Sequence, residues 1–179
     1  MRRVGGAVLS VALCAGAAAA EEPTTSLLET PAPLSAALTN RFGKELRILR
    51  LSVRPDGAEV DVQDPANPSH VDRYAFEEGV LGAPEPVAVG RNRKELKARL
   101  FAFADVDLEV VPRLLPDAVA AAETGQARAI HVSIERLEKS TEYSSSWSGP
   151  LIVVIVGGPR GGASVEYRLD GKRRSVTRW

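Results

Sequence analysis

Cysteine and histidine are nearly absent from this chain of 179 residues, and their scarcity excludes more chemistry than any motif supplies. The one cysteine, Cys14, lies within the first 20 residues, and the two histidines, His70 and His131, are far apart. Once residues 1–20 are removed, the chain has no thiol for nucleophilic catalysis and no disulfide, so its stability must come from packing. Two isolated histidines do not supply the three or four closely spaced ligands of a zinc site. Excess charge of one sign is lacking too. Removing Arg2 and Arg3 with the leader leaves 21 basic residues against 23 acidic ones, a formal charge of −2. That balance argues against nucleic acid, whose phosphates call for a basic surface. No apolar run reaches the roughly 20 residues of a membrane span.

What is present starts with an address. Arg2 and Arg3, the apolar run Val8 to Cys14 and the small residues Ala17 to Ala20 form a basic, an apolar and a cleavage region in order. This is the pattern of a secretory signal, residues 1–20, cut before Glu21. Lipidation at Cys14 is the rival reading, but Leu13 stands where that processing prefers a small residue. The abundance of Ala, Arg and Gly over Lys and Asn suggests a GC-rich bacterial source, and hence a periplasmic or secreted protein with no transmembrane span after cleavage.

Periodicity then divides the chain. Residues 21–33, rich in Pro and Thr, read as a flexible leader. A helix is expected from Leu34 to Phe42, ended by Gly43. A strand follows from Leu46 to Val53, its parity slipping at Ile48 and Leu49 as at a bulge. Asp56-Gly57 signals a hairpin into Ala58, Val60 and Val62, and a further strand runs from Val71 to Phe76. In the second half, Asp105 to Glu123 has helical spacing, with Pro112 near its start, Pro116 inside and Gly125 at its end. Strands are expected at Ile130–Ile134, Leu151–Val156 and Val165–Leu169, with a polar loop from Ser140 to Pro150. Asp170-Gly171 then turns the chain into a last strand holding Val176. These elements predict an α+β fold of two tandem αβββ units, 34–83 and 105–179, joined by a linker over 84–104.

A helix and an antiparallel meander appearing twice in an exported chain, closed by the strand–Asp170-Gly171–strand hairpin, resembles the PepSY-like and β-lactamase-inhibitor-protein-like domains. The resemblance covers Leu34 to Trp179 and rests on element order. It implies a binding or inhibitory module without catalytic machinery, and it carries no functional residue across.

The residues themselves offer few sites. Asp61, Asp64, Asn67 and Asp72 are oxygen ligands suited to calcium, but their turn-making chemistry explains the same cluster. The run Gly157 to Gly162 lacks the lysine and following helix of a phosphate loop, leaving Arg160 as an anion contact on a flexible connection. Tyr143 and Trp147, set among Ser144, Ser145, Ser146 and Gly149, have the makeup of an adaptable binding loop. The run Leu151 to Val156 is apolar at every position, so both sheet faces are covered there or one is left for a partner. The chain therefore reads as an exported non-enzymatic module that binds another envelope or extracellular protein through Tyr143, Trp147 and Arg160. No cofactor or metal is called for. The alternative is a small carboxylate-dependent hydrolase or a carrier of apolar ligands.

Overall fold

A computed structural model describes residues 26–90, 92–140 and 145–179. The signal segment 1–20 lies outside the described residues. The chain runs through α1 (Ala32–Phe42), β1 (Arg47–Arg54), β2 (Gly57–Gln63), β3 (Val71–Glu77), β4 (Val80–Leu81), β5 (Glu85–Pro86), α2 (Arg93–Arg99) and β6 (Phe101–Ala102). Two 3-10 turns, Phe103–Asp105 and Leu108–Val110, lead into α3 (Val111–Ala122). The chain closes with β7 (Arg128–Ser140), β8 (Ser145–Gly158), β9 (Gly161–Arg168) and β10 (Arg173–Arg178).

The strands form one antiparallel sheet in the order β10-β9-β8-β7-β1-β2-β3-β4, with β5 beside β3 and β6 beside β1. This corrects the expectation of two tandem αβββ units. Each half folds into an antiparallel meander, but β1 pairs with β7, Arg50 opposite Glu135 and Val53 opposite Val132, and the two meanders become one sheet. The physical reason is edge satisfaction. Two separate small sheets would each leave the backbone groups of a long inner strand unpaired, and the β1–β7 seam satisfies both. Residues 84–104, expected as a linker, hold α2 and the strand β6.

One core underlies the whole sheet. Leu51 faces Val60 on one side and Ile134 on the other, and Ile134 faces Ile152, so these side chains share a face. Leu34 and Leu38 of α1 and Leu114 and Ala118 of α3 complete the same buried cluster. Each fully buried Leu or Ile contributes about 1.5–3 kcal/mol. Leu27 and Leu28, at the end of the segment read as a leader, are buried here too, and the Leu27 N–H donates to the Pro55 carbonyl at 2.8 Å.

Local sequence explains most boundaries. Gly43, at φ 77°, ends α1. The bulge in β1 falls between Ile48 and Arg50, where the parity slips. α3 starts only at Val111, runs through Pro116 and ends at Glu123 in the left-handed region (φ 54°), two residues before the expected Gly125. Pro116 cannot donate to the carbonyl four residues back, a bond the helix forgoes. The β1–β2 turn centres on Pro55 and Asp56, with Gly57 already paired to Arg54. A Cβ at Gly57 would sit 2.9 Å from the Phe76 carbonyl oxygen, so glycine is required there by close approach.

Candidate functional site

The sheet has a second face, turned away from α1 and α3, and there the residues are organised by charge. Read across the strands in register, one row runs Arg73, Asp61, Arg50, Glu135, Leu151, Arg168. The next runs Ala75, Glu59, Ser52, Ser133, Val153, Glu166. Asp61 is the pivot of the first row. Its side chain is 5% exposed and is gripped by Arg73, whose Nε and Nη2 donate at 2.7 and 3.2 Å, and by Arg50 Nη2 at 3.3 Å. The carboxylate beside it raises the Arg73 guanidinium above its ordinary pKa, first through the hydrogen bond.

β8 breaks the charge pattern. Leu151, Val153 and Ile155 occupy its outward positions, Leu151 and Val153 buried among their neighbours and Ile155 half-buried. Leu151 is 5% and Val153 8% exposed, and neither joins the two apolar clusters, so neighbouring side chains of this face cover them. Over the β1–β3 end of this face sits α2. Asn92 caps it by accepting from the Lys94 and Glu95 amides, and Leu96, with Leu100 just beyond the helix, packs on Leu49 and Val71. That packing carries Arg99 to Trp147 of β8, with the guanidinium carbon 5.1 Å from the ring centroid.

Ser52 and His131 meet in the middle of the face, Oγ to Nε2 at 2.8 Å. Burial lowers the His131 pKa, helped by the nearby positive charges of Arg54 and Arg50. A serine–histidine pair hydrolyses only with an orienting group on the other ring nitrogen and free donors for the oxyanion. Among the described residues no carboxylate bonds the His131 Nδ1. Both strands lie inside the sheet, where their amides serve the ladders. The pair acts as a polar tie across the β1–β7 seam.

Comparison with known proteins adds a fold and nothing finer. No family model and no curated protein matches the chain. Among solved structures, one described as "a putative lipoprotein" from Clostridium difficile 630 superposes with a TM-score of 0.53 at 10% identity, covering 87% of this chain and 94% of that one. At that identity the likeness shows a shared fold alone. The PepSY-like resemblance rested on element order, and no family model supports it.

The expected site residues fare differently from one another. Trp147 is half-buried in β8 rather than in a loop, paired in register with Glu138. Most of the expected loop Ser140–Pro150 is hairpin, and Tyr143 lies outside the described residues. Arg160 sits exposed in the tight turn joining Gly158 to Gly161, which are themselves paired, so the expected flexible connection is two residues long. Arg160 and Trp147 are separated by most of β8, roughly 35 Å at strand rise, and form no common site. In the acidic cluster, Asp61 is taken by arginines, Asp64 accepts from the Ala66 amide and Asn67 from Ser69. Among the described residues no three metal-ligating side chains of His, Asp or Glu gather.

The charged row itself went unread in the sequence. Its signal was present: counting outward from the Pro55-Asp56 turn pairs Arg50 with Asp61, opposite charges at facing positions.

Proposed function

We propose that this chain is an exported, non-enzymatic binding module that docks a protein partner on the open face of its sheet, beside Trp147. The observation that carries this reading is the pair of half-buried apolar side chains Ile155 and Trp147 on β8, which continue the buried residues Leu151 and Val153 at positions where a solvated antiparallel face places polar residues. These residues are framed by facing charges of both signs, which suits a folded protein surface better than a polyanion. Export rests on the leader, and secreted material should begin at Glu21. The lipoprotein description of the structural neighbour points the same way. Tyr143, four residues before Trp147 in the sequence, belongs to this reading as an aromatic set among serines.

Photocrosslinking in the cell envelope tests it. A photoreactive residue at Ile155 or Trp147 should yield one discrete adduct, and the same residue at exposed Arg113 on α3 should not. Trp147→Ala should abolish the Ile155 adduct without unfolding the chain. Adducts from Arg113 alone, or none from the open face, would overturn the reading.

A further inference from the structure

Between α2 and the charged row lies a cavity of about 220 Å³, walled by Val87, Ala88 and Val89. Four guanidinium groups reach it, from Arg50, Arg73, Arg99 and Arg136, against two carboxylates, Asp61 and Glu135. Those six side chains leave two positive charges over, one of them opposed by Glu59, whose carboxylate lies 3.7 Å from Arg73 Nε. Arg50 and Arg73 are committed to Asp61. Arg99 and Arg136 make no ion pair among the described residues.

Arg136 supplies the second observation. Its Nη1 makes a long 3.4 Å bond to the Ser148 carbonyl, while its Nε is buried with no acceptor among the described residues. A buried, charged N–H without a partner is costly, and native structures rarely leave one. Arg99 is held differently: its guanidinium carbon lies 5.1 Å from the centroid of the Trp147 ring, a cation–π contact that leaves its N–H donors without a carboxylate partner among the described residues. An acceptor in this cavity would meet a buried donor and two guanidinium groups, Arg99 and Arg136, that no carboxylate among the described residues engages.

We propose that this cavity is a binding site for a small oxyanion carrying two negative charges, of the phosphate monoester or dicarboxylate class. Guanidinium forks match the paired oxygens of both groups, and two arginines without a carboxylate partner among the described residues, Arg99 and Arg136, favour a dianion over a monoanion. The site stands apart from the docking reading above, since it needs no protein partner. The same chemistry reaches it from a free anion or from acidic side chains carried on a polypeptide.

The chain contains two tryptophans, so Trp179→Phe leaves Trp147 as the sole fluorescent reporter beside Arg99. The purified protein is titrated at low ionic strength with inorganic phosphate, succinate, acetate and an Asp/Glu tetrapeptide, read by Trp147 emission and by calorimetry. Phosphate or succinate should bind saturably and more tightly than acetate. Arg99→Gln and Arg136→Gln should each weaken binding about tenfold or more, the loss of one charged hydrogen bond. Arg99→Lys, which keeps the charge but not the fork, should fall between. Lys97→Gln and Arg93→Gln, in the neighbouring groove, should change little. A tetrapeptide that binds more tightly than the free anions, with the same sensitivity to Arg99 and Arg136, keeps the site and assigns its ligand to a polypeptide. No saturable binding by any probe, or binding lost with Lys97 and Arg93 but not with Arg99 and Arg136, overturns the proposal.

Discussion

Replacing Arg50 and Arg73 together by methionine should cost more stability than removing the carboxylate they hold. The asymmetry follows from burial: the Asp61 side chain is 5% exposed, the two arginines 37% and 34%. Arg50→Met/Arg73→Met keeps the aliphatic stems but strands a buried charge, a loss in the range of about 3–5 kcal/mol. Asp61 lines a cavity of about 220 Å³, large enough for water to reach the stranded charge, so the lower end, about 3 kcal/mol, is expected. Asp61→Asn keeps the shape, and the arginines, a third exposed, regain solvent at a cost of about 1 kcal/mol. For a protein of this size these values correspond to Tm shifts of about 6–12 °C and about 2–4 °C. A triple variant adding Asp61→Leu should recover most of the double variant's loss, because an apolar replacement of a buried ionic cluster is often close to neutral. Urea unfolding monitored by circular dichroism separates the three. An Asp61→Asn loss equal to that of the double arginine variant would refute the reasoning, as would a triple variant no more stable than the double.

Three further expectations concern groups elsewhere. Tyr167→Phe removes the 2.7 Å bond from a buried phenol to Asp117 and should cost about 1.5 kcal/mol at neutral pH by denaturant titration. Burial, and then the Asp117 bond, raise the Tyr167 pKa above 10.0. The unfolded chain therefore releases this proton first, stability falls as pH rises past about 10, and the variant should lose that part of the decline. The lowered His131 pKa has the opposite consequence: below about pH 6.5 the unfolded state binds the proton more readily, so stability falls as pH drops. His131→Gln should flatten that acid limb in unfolding curves taken from pH 7 to 5. Gly162→Ala places a methyl against the Val156 carbonyl oxygen and the Trp179 ring, and should lower Tm by more than Gly125→Ala, where nothing lies within 4 Å.

How far the sequence revealed this molecule depended on whether a signal was local. The α1 helix, its Gly43 stop and the bulge at Ile48 were legible because each is written within a few residues. The strand Ile130–Ile134 was legible as a strand but not in detail: a register shift between Ala129 and His131 leaves Ile130 41% exposed, outside the buried stripe. Helix α2 was missed although Asn92 and Glu95 have capping-box spacing ahead of Leu96 and Leu100. The prolines and glycines before it gave the segment a linker's composition. The pairing of β1 with β7 was not legible at all, since alternation tells which face a side chain takes and not which strand lies alongside. The arginine cavity inherits that gap, because Glu135 and Arg136 reach Arg50 and Asp61 only across the β1–β7 seam.

The seam also bears on how the chain reaches its folded state. Val53 and Val132, partners in the sheet, are separated by most of the sequence between the first hairpin and the last meander. Loops of that length close slowly, and proteins dominated by such distant pairings fold on the slower end of the range for domains of their size. The first meander, formed by short-range hairpins, must hold β1 with one bare edge until β7 is available. During that interval the growing protein exposes an unpaired strand that another copy can add to. Expression of residues 26–90 alone should therefore give a species that self-associates, and supplying residues 92–179 in trans should rescue it.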